Sequence, residues 1–197
     1  MVKTEIKASN TRLSAHFLKN ILLKIYESQN QSNVLGFLKS SKQLTKDVIF
    51  KLHKLLDYNV STLKKQNVDL NDEIEHIKIF LDIIKFLKPK VSISTKFPEN
   101  TDFKITPTLF FPFIENVLKH GDLNSDDSFI NIEVIIIKNI LLYKVSNKVF
   151  DIPNKKIEKG FGLTSLEKAL QTYYKSYELD YKLKDNIFEI ELKIETK

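Results

Sequence analysis

The 197-residue chain contains no cysteine, which excludes disulfides, thiol catalysis and Cys-based zinc sites and suits a reducing, cytoplasmic compartment. Arginine is almost as scarce. Arg12 is the sole one among 31 basic residues, so the net charge of +6 comes from lysine. Bidentate reading of base edges prefers Arg, and the lysines are scattered along the chain rather than clustered, so direct nucleic-acid binding is not expected. No stretch approaches the roughly 20 consecutive apolar residues of a membrane-spanning helix. Residues 79–87 carry charges at helical intervals, and residues 1–7 lack the apolar core of a signal peptide. What is present is the balance of an ordinary soluble protein, 42% hydrophobic against 28% charged, in a chain long enough for the core of one or two domains.

From about Thr4 to Glu27, Leu13, Phe17, Ile21 and Leu18, Leu22, Ile25 recur at helical spacing. A polar turn follows at Gln29 to Asn33, and a second helix is expected from Ser41 to about Leu63 with Leu44, Val48, Leu52, Leu55 and Leu63 on one side. Such a hairpin leaves too much apolar stripe uncovered, so two copies are expected to pair into a four-helix bundle. The alternative is that the hairpin packs on the rest of its own chain. Lys64 to Asp69 is polar and lacks periodicity, which suggests a domain boundary.

A third helix is predicted over Leu70 to Leu87, capped by Asp69 or Asn71, with Glu73 and Glu75 near its positive end and Pro89 beyond its end. Val91 to Phe97 alternates as a strand. Phe129 to Ile137 and Leu141 to Val145 form a hairpin around Lys138-Asn139, Asn147 to Lys159 reads as a loop, and Leu163 to Tyr174 as a helix. A last hairpin pairs Glu178 to Leu183 with Ile187 to Ile194. This mixture predicts an α+β chain ending in an α/β sandwich, a mixed sheet covered by helices on one face.

Between the strands lies Ile105-Thr-Pro-Thr-Leu-Phe-Phe-Pro-Phe-Ile-Glu-Asn-Val-Leu-Lys-His-Gly121, which reads as one mostly buried helix. Thr106 suits its cap, Pro107 its first position and Gly121 a left-handed exit. Asn116 and Lys119 are three apart and share a face. An Asn carbonyl is a hard neutral Mg2+ ligand and a Lys ammonium a point charge for phosphate oxygens, so the pair suits a metal-bound polyphosphate. Spacing alone is equally consistent with a buried helix that has a polar end.

Pro112-Phe-Ile-Glu-Asn-Val-Leu-Lys-His-Gly121 resembles the N box of LytS-type sensor histidine kinases, usually Gln-Pro-Leu-Val-Glu-Asn-Ala-hydrophobic-Lys-His-Gly. The resemblance implies that Asn116 binds the Mg2+ of Mg-ATP and that Lys119 and His120 lie along the phosphates. Related ATPases carry a water-activating Glu four residues before the Asn, where this chain has Pro112.

Ser14-Ala-His-Phe-Leu-Lys-Asn20 is similar to the family's Pro-His-Phe-Leu-Phe-Asn, which makes His16 the candidate phosphoacceptor. An exposed imidazole has a pKa of about 6.5 and so offers an unprotonated nitrogen at neutral pH. Asn20, one turn on, faces the same way and can orient the ring. A lone His on an amphipathic helix is otherwise an ordinary surface or core residue. Lys54-Leu-Leu-Asp-Tyr58 resembles the family's Leu-Leu-Arg-Tyr, and the segment from Val68 to Leu81 its Leu-x-x-Glu entry to the ATP domain.

Lys159-Gly-Phe-Gly-Leu-Thr-Ser-Leu-Glu-Lys168 is similar to the family's Gly-x-Gly-hydrophobic-Gly-Leu-x-Asn-x-x-x-Arg-Leu. Gly160 and Gly162, followed by Leu163, would let backbone amides approach phosphate at a helix N-terminus. In place of the superfamily's adenine-binding Asp-x-Gly-x-Gly stands Ser146-Asn-Lys-Val-Phe-Asp151, with Asn147 in the Asp position and both glycines absent. Its carbonyl still accepts a hydrogen bond from an adenine amino group, without charge assistance.

The resemblance covers nearly the whole chain. It implies a dimerisation and phosphoacceptor hairpin over residues 1–67, forming a dimeric four-helix bundle, followed by a Bergerat-fold ATP domain over residues 68–197. The cofactors would be ATP and Mg2+, and the partners a second copy and a cognate response regulator. Kinases of this type usually carry a sensor or membrane region ahead of this core, so the chain is expected to be a stand-alone core or a piece of a longer protein. The alternative is a degenerate, dimeric interaction module with little or no ATP binding.

Overall fold

Residues 129–137, 140–148 and 187–195 are rich in apolar side chains at every second position, and period two places one set on each face of a sheet. The computed structural model describes residues 38–150 and 161–195 and realises that pattern. The helices are α1 (Leu38–Thr62), α2 (Leu70–Leu87), α3 (Phe111–His120) and α4 (Phe161–Tyr173). The strands are β1 (Val68–Asp69), β2 (Ser92–Lys96), β3 (Lys104–Ile105), β4 (Phe129–Ile137), β5 (Ile140–Lys148), β6 (Tyr177–Lys184) and β7 (Ile187–Glu195). The five-stranded sheet runs β2-β4-β5-β7-β6, and β2 lies parallel to β4 while the other neighbours are antiparallel.

One face of that sheet is apolar. Ile130, Ile132 and Val134 of β4, Leu141, Tyr143 and Val145 of β5, and Ile190, Leu192 and Ile194 of β7 are buried in a core shared with α1, α2, α3 and α4. Phe110 stacks on Tyr143 and Phe113 meets the same ring edge-on, which seats α3 on β5. The other face carries ion pairs such as Lys96–Glu133, Lys144–Glu191 and Lys182–Glu189. The expected mixed sheet with helices on one face is therefore present.

Helix α2 has the predicted bounds, but its cap differs. Asp69 stands at the N-cap with no side-chain cap bond, and Asn71 instead donates to the Thr101 carbonyl at 2.8 Å. Val68 and Asp69, expected in a boundary, pair as β1 with Ile105 and Lys104 of β3. That short ladder ties the start of α2 to the segment that leads into α3.

Helix α1 is apolar on two sides. Val48, Leu52 and Leu55 are buried in the common core. Ile49 (53% exposed), Leu56 and Val60 (66% exposed), together with Leu63, which lies just past the helix end and not on the buried side where it is expected, form an apolar stripe that nothing among the described residues covers. The expected first helix, Thr4 to Glu27, lies outside the described residues.

Candidate functional site at the end of helix α3

The central stretch does not form one helix from Ile105 to Gly121. Helix α3 begins only at Phe111, with Pro112 in its first turn, where a missing N–H leaves no bond unmade. Thr106 and Pro107 do not open it. Thr108 takes a left-handed φ of 59°, costly by on the order of 1 kcal/mol for a β-branched residue. Tight turns bring the Phe111 and Phe113 amides onto the Thr108 and Phe110 carbonyls at 3.3 and 3.2 Å. The residues that read as a capping signature are used for other bonds: the Thr106 amide donates to the Tyr174 hydroxyl at 2.9 Å, and the Thr108 amide to Glu73 Oε1 at 2.6 Å.

Gly121 does not make a left-handed exit either, since its φ is −70° and ψ 139°. The glycine is needed for close approach. A Cβ there would lie 2.4 Å from the Val117 carbonyl oxygen and 3.0 Å from Asn147 Nδ2. Without one, the helix end lies against β5, with Gly121 bridged to Val149 and the Asp122 amide donating to the Lys148 carbonyl at 2.9 Å. Gly121→Ala is expected to lower stability by about 2 kcal/mol, because the nearest clash is with backbone, which cannot swing away. An unchanged urea midpoint would contradict this account.

Asn147 was expected in a loop but is part of β5, on its buried face, only 1% exposed. Its Nδ2 donates to the Lys148 carbonyl at 2.8 Å, and its Oδ1 is a buried acceptor with no hydrogen-bond partner among the described residues. Such an acceptor is costly unless a donor arrives. At the adjoining end of α3, Asn116 is half-buried and its amide makes no hydrogen bond among the described residues, while His120 is exposed.

Lys119 is not held in reserve for an anion. Its ammonium lies 2.7 Å from Glu115 Oε1, an acid whose side chain is only 4% exposed. The contact is an ion pair without good hydrogen-bond geometry, and neither Glu115 oxygen accepts a hydrogen bond among the described residues. An arriving phosphate would therefore compete with a buried carboxylate for this lysine.

Gly162 and Leu163 are the second and third residues of α4, so this part of the glycine motif does open a helix, and α4 packs along α3. Gly160, His16 and Asn20 lie outside the described residues. The structure thus brings Asn147 to the end of the helix that bears Asn116, Lys119 and His120.

Sequence reasoning missed the role of Glu73. It was placed near the positive end of α2, yet it is 3% exposed and accepts the Tyr58 hydroxyl together with the Thr108 amide. Burial pushes its carboxyl up to about 7, against the lowering effect of hydrogen bonds from Tyr58 and from the Thr108 and Phe110 amides. Burial also pushes the Tyr58 phenol well above its usual value, with the neighbouring Glu73 charge adding to it. A signal was available: Glu73 sits three after Leu70 and four before Ile77, inside the apolar stripe of its helix.

A nucleotide would find residues that suit it: a buried acceptor without a partner among the described residues in Asn147, and a neutral oxygen ligand in Asn116. Comparison with known proteins finds likenesses to histidine kinases. The histidine kinase family model matches residues 4–90. The sensor histidine kinase YpdA of Escherichia coli (strain K12) is 25% identical over 120 residues, 60% of this chain but only 20% of the length of that relative. The histidine kinase domain of the blue-light activated kinase EL346 from Erythrobacter litoralis superposes with a TM-score of 0.54 at 12% identity, over 98% of this chain and 93% of that one. The histidine kinase ThkA, solved in complex with the response regulator protein TrrA, superposes with a TM-score of 0.50 at 15% identity, over all of this chain and 67% of that one. The chain is thus similar to histidine kinases, in sequence over residues 4–90 and in fold through the sheet and helices that follow.

Proposed function

We propose that the chain is the core of a LytS-type histidine kinase, moving the γ-phosphoryl group of Mg-ATP to a nitrogen of His16 and then to an aspartate of a response regulator. The observation that carries the reading is Asn147 Oδ1, buried, without a partner among the described residues, and set beside the end of α3, where an adenine amino group would supply the missing donor. Asn116 holds Mg2+, which neutralises phosphate charge when bound. Lys119, released from Glu115, and His120 would bind the phosphates, with backbone amides of Gly160, Gly162 and Leu163 as further donors. Asn20 orients the His16 ring. The P–O bond to ADP breaks, a P–N bond to the imidazole forms, and the ring N–H proton leaves to solvent. Chemistry of this kind is mostly positioning and electrostatics.

Residues 1–67 serve as the dimerisation and phosphoacceptor unit and residues 68–197 as the ATP domain. The uncovered stripe of Ile49, Leu56, Val60 and Leu63 supports a four-helix bundle formed with a second copy. The response regulator partner is supported by the ThkA complex. The reaction belongs to the cytoplasm, and among the described residues no helix is long and apolar enough to cross a membrane.

A second reading, a dimeric interaction module with little ATP binding, is favoured by the Lys119–Glu115 pair, which already occupies the phosphate lysine. Incubation of the purified chain with γ-labelled ATP and Mg2+ separates the two. The kinase gives a protein label that is acid-labile and alkali-stable, as a phosphohistidine is. A folded protein that takes no label at saturating ATP is the interaction module.

A further inference from the structure

The turn from Thr106 to Phe110 is gripped from two sides by groups that the phosphotransfer reading does not use. On one side, Glu73 Oε1 accepts the Thr108 amide at 2.6 Å and also the Tyr58 hydroxyl from the last turns of α1. On the other, the Tyr174 hydroxyl, next after α4, accepts the Thr106 amide at 2.9 Å. The turn leads directly into α3, whose far end carries Asn116 and Lys119.

We propose that this turn is a mechanical joint through which α1 and α4 set the position of α3, with Tyr58, Glu73 and Tyr174 as its positioning residues. The inference rests on the nucleotide-site reading only for its consequence, which is that movement of the hairpin adjusts the Asn116 end of α3.

The physical basis is that none of these bonds can slip without loss. Glu73 is buried, and a single oxygen bridges α1 to the turn, so a shift of α1 either drags Thr108 or leaves a buried donor or acceptor unpaired. Thr108 is held in a left-handed conformation that a threonine adopts only when its surroundings impose it. The ring of Tyr58 is itself stacked on His76 of α2, with centroids 3.4 Å apart, so its hydroxyl is aimed rather than free to rotate away. Other ionisable groups around the carboxyl are Asp72 and His76 on α2, Tyr143 on β5 and Tyr174 beyond α4.

Amide hydrogen exchange on the full nucleotide-free chain tests this with Tyr58→Phe, Tyr174→Phe and the double variant. Each single change removes one hydroxyl and keeps its ring. If the joint is real, Tyr58→Phe speeds exchange about tenfold at Thr108 and also at Thr106, which Tyr58 does not touch. Tyr174→Phe speeds exchange at Thr106 and also at Thr108, which Tyr174 does not touch, and the double variant exchanges more slowly than the product of the two effects. Amides of β4 and β5 keep their rates. Acceleration confined to the amide next to each altered residue, independent effects in the double variant, or equal acceleration across β4 and β5 each overturns the joint. Absence of a phosphohistidine in the wild-type chain would sink the kinase reading and leave this result standing.

Discussion

Asn116→Ala is expected to lower phosphoryl transfer by roughly two to three orders of magnitude, the usual cost of removing one preorganised electrostatic partner of a developing charge. His16→Ala is expected to abolish the label. The two losses have different characters. Asn116 is half-buried and makes no hydrogen bond among the described residues, so truncating it should leave the urea midpoint nearly unchanged and act on catalysis alone. With Asn116→Ala, raising Mg2+ should recover part of the rate, because the metal is bound more weakly and the phosphoacceptor is intact. With His16→Ala, no Mg2+ concentration should recover any. Labelling of Asn116→Ala at the wild-type rate would mean that the metal is held elsewhere, and retained label in His16→Ala would mean a different acceptor.

Stability should fall as pH rises through neutrality, and Glu73 should be the main cause. Its carboxyl is raised from 4.5 to about 7 in the folded chain, chiefly by burial. Between those values the folded chain keeps a proton that the unfolded chain has lost, so the stabilisation is fully present below about 4.5 and is lost as pH rises through about 7. At about 1.4 kcal/mol per pH unit, the loss amounts to about 3 kcal/mol. The check is a pair of urea unfolding series at pH 5 and pH 7.5 for the wild type and Glu73→Gln. The glutamine cannot ionise and can still accept from Tyr58 and Thr108, so this part of the pH dependence should vanish with it. If the two proteins lose stability in parallel, Glu73 is not the titrating group.

The strands and α2 were legible because their signals are redundant. In β4, alternation over Phe129–Ile137 fixes both the strand and its buried face, and in α2 the stripe and Pro89 fix the end. Reading failed where one residue type serves two physical purposes. Thr106-Pro107 has the chemistry of a helix cap, but the amides of this segment are spent on Tyr174 and Glu73, both distant in sequence, so α3 starts later. Gly121 permits a left-handed exit or a close approach, and only the neighbouring Val117 carbonyl and Asn147 amide decide which. The end of β5 was lost because Ser146 and Asn147 look like loop residues. Asn147 nevertheless keeps the period of the strand, as a polar group on its apolar face. At the candidate site, resemblance singles out the motif residues, whereas the Glu115–Lys119 pair and the burial of Glu73 depend on packing that spacing does not encode.

The parallel pairing of β2 with β4 also says how this chain assembles. β4–β5 and β6–β7 are hairpins closed by tight turns, and they need only neighbouring residues to meet. β2 meets β4 with Ser92 opposite Phe129, which closes a loop that contains β3, the gripped turn and all of α3. Closure of such a loop must be met before its contacts form, and the β5–β7 pairing, which joins Lys148 to Ile187, asks the same of the residues between them. The segment bearing Asn116 lies inside one of these two closures, so its amides are expected to gain lasting exchange protection only when the sheet closes, not when either hairpin forms.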